Sequence, residues 1–190
     1  MRVEPTAFGG GSRANPLDGP IGLMQQPSRE EAARLRREAV REFGAPIFVP
    51  SGKWSPLWRL GGVGRSNGEV SSVRVSAQEG YERHLHVTTF TSNRGAAEGL
   101  HEQGLVAMVL GGSVPHDVQL PFSTKVEQIQ IQVSLEGDDD IELRCLVAPR
   151  NWIALGSIAN RFVQIHAIGI ELDGLVLEKP DLDRILENSF

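Results

Sequence analysis

At 190 residues, with 40% hydrophobic and 23% charged residues, the chain is long enough to bury a substantial core and has ordinary globular composition. Its net charge of −5 argues against non-specific binding to nucleic acid, which needs a basic surface. Cys145 is the single cysteine, which excludes an intramolecular disulfide and a thiolate zinc cluster.

Residues 1–27 hold Gly9-Gly10-Gly11-Ser12 and four prolines and follow neither helical nor strand periodicity. They read as a flexible Gly/Pro-rich extension ahead of a single domain over 28–190. The N-terminus lacks the apolar core of a secretory signal, and the apolar run Leu105 to Leu110 is too short to span a bilayer. A cytoplasmic location without membrane contact is expected.

Ser28 and Glu31 form a capping box, and Ala32, Leu35, Ala39 and Phe43 form an apolar stripe at helical spacing that Gly44 and Pro46 end. Arg34, Arg37 and Arg41 suggest a phosphate site. However, Ser28 to Phe43 holds five Arg and four Glu, as a solvated helix face does. From Pro46 to Thr91 the signals are those of strands. Leu57 to Leu60 precedes a Gly-rich bend, and Asn67-Gly68 marks a tight turn. Val70 to Ala77 and Glu82 to Thr91 flank a turn at Glu79-Gly80. A short helix over Arg94 to Gln103 and a buried strand over Leu105 to Leu110 follow.

Gln128 to Val147 carries the strongest pattern. Ile129, Ile131, Val133 and Leu135 alternate with Gln128, Gln130, Gln132 and Ser134, and Ile141, Leu143, Cys145 and Val147 repeat the alternation after an acidic turn. Period-two spacing of this kind predicts a half-buried antiparallel hairpin. Trp152, Leu155, Ile158 and Phe162 fit a helical stripe that Gly156 weakens, so helix and strand both stay open there. Phe162 to Leu172 reads as a strand, and Asp173-Gly174 as a hairpin turn into Leu175 to Leu177. A last helix opens at Pro180, with Leu182, Ile185 and Leu186 as its docking face. The expected fold is α+β: an antiparallel or mixed sheet built from hairpins, packed against N-terminal, central and C-terminal helices.

His84-Leu85-His86 is the metal candidate. Two imidazoles at i and i+2 of a strand share a side and can close on one transition-metal ion. A third ligand would come from His101, His116, Asp117 or His166. Otherwise no cofactor is expected. Cys145 with His166 could form a nucleophile–base pair, but its place on the Leu143/Val147 stripe marks a buried, inert thiol. Gly111-Gly112-Ser113-Val114-Pro115 lacks the final glycine of a nucleophile elbow. Glu136, Asp138, Asp139, Asp140 and Glu142 could gather around calcium or simply keep a hairpin tip wet. Trp54 and Trp58, beside Lys53 and Arg59, have the make-up of a binding hot spot, or else are simply large core residues. Gln128, Gln130 and Gln132 offer an uncharged face or edge to a partner.

No catalytic set stands out. The leading expectation is therefore a non-enzymatic binding or regulatory domain acting on a protein partner or on itself. A metal-dependent hydrolase using His84 and His86 and a small-ligand carrier with a pocket between sheet and helices are the alternatives.

Overall fold

The computed structural model describes residues 28–91 and 127–188, apart from 139 and 149. Helix α1 (Arg29–Phe43) starts where the Ser28 hydroxyl accepts a hydrogen bond from the Glu31 amide at 3.1 Å, and it ends at Gly44 with φ +72°. Its buried face is Ala39, Val40 and Phe43, whereas Leu35 of the expected stripe is 45% exposed. The chain then dives into the interior. Ile47 and Phe48 are fully buried, and the Phe48 amide donates to the Thr89 hydroxyl at 3.1 Å, so both buried polar groups are satisfied.

The strands are β1 (Val49–Pro50), β2 (Trp58–Ser66), β3 (Glu69–Glu79), β4 (Arg83–Phe90), β5 (Glu127–Leu135), β6 (Ile141–Val147), β7 (Asn151–Ile158), β8 (Arg161–Ile168) and β9 (Val176–Glu178), followed by the short helix α2 (Leu182–Glu187). Among the described residues they form one nearly closed, barrel-like sheet of nine strands in the order β1-β9-β5-β6-β7-β8-β4-β3-β2. Every pairing is antiparallel except β5 with β9. Alternation turns Val73, Val75, Leu85, Val87, Leu143, Cys145, Trp152, Ala154, Val163 and Ile165 toward the common core.

The architecture is thus mainly β, which corrects the α+β expectation. Among the described residues, the helices are α1 and α2; the proposed central helix over 94–103 lies outside them, as does the strand over 105–110. The helical stripe at 152–162 is a strand hairpin, β7–β8, turned at Ala159 and Asn160, whose φ angles are +42° and +57°. Both faces of β7 carry buried apolar residues (Trp152 and Ala154 on one, Ile153 on the other). The period-two signal is erased there, and Ala159 carries no turn chemistry of its own.

Two further expectations shift. No bend follows Leu60: β2 runs on through Gly61, Gly62 and Gly64, with register irregularities that absorb the curvature. The turn at Asp173-Gly174 exists, but it does not close a hairpin. It sends the chain away from β8 to lie as β9 between β1 and β5. Turn residues dictate reversal, and the choice of neighbour is made by burial; Leu177 is fully buried there.

Gly169, just after β8, sits at φ +65° with the Glu82 carbonyl against the position a Cβ would occupy. Gly137 at the β5–β6 turn has φ +83° and open space around it. Gly137→Ala therefore carries only the left-handed backbone cost, about 1–2 kcal/mol, while Gly169→Ala adds a clash with rigid main chain. Urea denaturation of the two variants is expected to show the larger loss at Gly169.

Candidate functional site

Two places on the sheet combine polar groups with accessible backbone or side chains. The first is the face of β4 and β8 turned away from the core. Alternation along β4 puts His84, His86, Thr88 and Phe90 on this face, and cross-strand register sets them beside Ile168, His166, Gln164 and Phe162. The His86 and His166 rings lie 5.9 Å apart between centroids, and His84 and His86 lie 6.5 Å apart.

Each ring is held in its own way. His84 Nε2 donates to the Tyr81 carbonyl at 3.0 Å, and His86 Nδ1 meets the Ser76 hydroxyl at 2.9 Å. His166 Nε2 is buried without a hydrogen-bond partner among the described residues. Burial, with the charges of neighbouring His86 and Arg74 adding to it, pushes the His166 pKa down to about 4. Burial, then Arg74 and His84, lower that of His86 as well. The pair is kept neutral.

Of the four proposed third ligands, the structure brings His166 to His86, while His101, His116 and Asp117 lie outside the described residues. Among the described residues, no group of three or more His, Cys, Asp or Glu has the geometry to hold a metal ion. The approach of His166 to His86 has no local sequence signal, because it depends on which of eight other strands pairs with β4.

The second place is β5. It pairs with β6 from Glu127 to Val133, but β9 meets it only at Ser134 and Leu135. The Glu136 amide donates to the Leu177 carbonyl at 2.8 Å, so even-numbered main-chain groups of β5 point to the β9 side. The N–H and C=O of Gln128, Gln130 and Gln132 therefore face past the end of β9, with no strand beside them among the described residues. The three Gln side chains are exposed, and Ile129 is 37% exposed on the other face. The Gln128 amide oxygen accepts from Arg144 at 3.0 Å.

The remaining candidates serve the fold. Trp58 is fully buried and Trp54 is 4% exposed, so these indoles present no face to a partner; Arg184 lies over the Trp58 ring at 5.8 Å and Lys53 over Trp54 at 5.4 Å. Cys145 faces the core opposite Ala154, whereas His166 projects from the other face, so the sheet itself separates the thiol from the imidazole. Burial raises the Cys145 pKa to about 12. Of the acids at the β5–β6 turn, Glu136 accepts from the Ser51 hydroxyl and Asp138 pairs with Lys179, while Asp139 lies outside the described residues. A cleft of about 320 Å³ is lined in part by Glu178 and Arg184, which pair with each other, and by Glu136 and Lys179, which are engaged by Ser51 and Asp138. The Gly111–Pro115 segment lies outside the described residues.

The chain matches no protein-family model, no curated protein and no solved structure.

Two measurements follow from the titrating groups. Native His166 stays neutral while the unfolded chain takes up a proton below about pH 6.5, so its contribution to stability is complete above that pH and is lost as the pH falls toward 4. At pH 5 this amounts to ~2 kcal/mol, at about 1.4 kcal/mol per pKa unit. Urea midpoints at pH 7 and 5 should differ markedly less in His166→Gln than in the unaltered chain. Cys145 should resist iodoacetamide at neutral pH in the native protein and react once the chain is unfolded.

Proposed function

We propose that this chain is a non-enzymatic binding domain that receives an extended protein segment along the open edge of β5. The observation that supports this reading is the outward main chain of Gln128, Gln130 and Gln132 beyond the reach of β9. An extended segment laid there gains ladder hydrogen bonds, which supply affinity, while alternate side chains supply selectivity. The Gln side chains accept a neighbour without desolvating a charge, and Ile129 adds apolar contact on the other face. Val40, Phe43 and Phe48 are buried in the core, and the strand-edge reading needs no cavity there.

The test is a photo-crosslinking residue at position 130 of the full chain, in extract from its own source. Adducts to an extended segment are expected at position 130 but not at the exposed position of Gln78 on β3, and Pro at position 128 or 132 should weaken them severalfold, since each removes an edge donor worth about 1 kcal/mol. Equal yields at 130 and 78, or none at 130, would reject the reading.

A further inference from the structure

We infer that the segment received by the β5 edge is the same edge of a second copy of this chain, an inference that rests on the strand-addition reading above. The residues of the edge, Gln128-Ile129-Gln130-Ile131-Gln132, read the same in both directions. Two antiparallel strands related by a twofold axis also run in opposite directions past each other, so a palindromic edge presents itself with its own complement.

An axis through Gln130 sets Gln130 opposite its twin, Gln128 opposite Gln132, and Ile129 opposite Ile131. The even-numbered residues are the ones whose N–H and C=O point outward, and in this register they form the pairs that exchange both hydrogen bonds. Backbone direction thus requires an axis through a residue, and the palindrome centres it on Gln130. An axis falling between two residues would instead set the outward even-numbered residues of one copy opposite odd-numbered residues of the other, whose backbone groups are already committed to β6.

Charge favours the same surface. Each copy carries −5, so approach is least opposed along an uncharged strip. In this register Glu127 falls opposite Val133 of the second copy instead of its own twin. Edges that remain solitary are usually blunted by Lys, Pro or an inward charge, and none of these occurs between Gln128 and Val133. The contact is short, which places it among small, weakly held interfaces.

Sedimentation of the full chain from about 1 to about 500 µM tests this, a range that spans weak association. The mass is expected to rise from 20.7 kDa toward twice that value. Gln130→Lys, which sets like charges face to face on the axis, should weaken association at least tenfold, and Gln130→Pro should abolish it. Gln78→Lys should leave it unchanged. Amide exchange should slow with concentration at Gln128, Gln130 and Gln132, while Ile129 and Ile131 are slow throughout. A monomer at every concentration, or a dimer indifferent to Gln130→Lys, overturns the inference. A monomer whose position 130 still crosslinks to a different polypeptide overturns the self-pairing alone, and one that crosslinks to nothing overturns strand addition as well.

Discussion

Three residues of β9 hold the least regular part of the sheet together. Val176, Leu177 and Glu178 lie between β1 and β5 and make the sole parallel pairing among the described strands. The Ser51 amide donates to the Val176 carbonyl at 2.8 Å, and the Glu136 amide to that of Leu177. Arg184 grips the Glu178 carboxylate with two hydrogen bonds of 2.7 and 2.9 Å while its guanidinium lies over the Trp58 ring, tying α2 to both β9 and β2. A bidentate pair of this kind specifies geometry as well as attraction.

The shortness of β9 has a consequence at the other end of β5. An antiparallel hairpin partner, β6, follows β5 along seven residues, whereas a strand of three residues arriving in parallel covers only the last two. What lies upstream of Ser134 is a strand paired on one side among the described residues. An unpaired strand edge in water loses little, because water serves its N–H and C=O groups. Such an edge can exchange that water for another chain, and the self-complementary run Gln128 to Gln132 is what the proposed pairing of two copies rests on.

The opposite face of the sheet obeys a different balance. The row Ser76, His86, His166, Ile153 runs across four strands at one register, and Ile153 at its end is fully buried although it points away from the main core. Two imidazoles in such surroundings are cheaper neutral than charged. The same alternation that brings them together sets Cys145 on the far side of the sheet, so parity along the strands, rather than distance along the chain, decides which reactive groups meet.

Local chemistry was legible wherever a residue acts on its near neighbours. The Ser28 cap, the Asn67-Gly68 turn, the β3–β4 and β5–β6 hairpins and the burial of Cys145 were all readable, because capping, turn geometry and one-sided burial each leave a mark within a few residues. The β7–β8 hairpin was not: its strands are apolar on both faces, and its turn residue Ala159 is held at φ +42° by the surrounding sheet. Nor could the sequence decide between a binding face and the core for Trp54 and Trp58, since part of the cover over Trp58 comes from a distant element, α2. It determined that Gln128 to Gln132 form an uncharged alternating strand. Only the tertiary structure decided that β9 stops short of them, with no other described strand along their outer side, because strand pairing is settled by the burial of residues far apart in the chain.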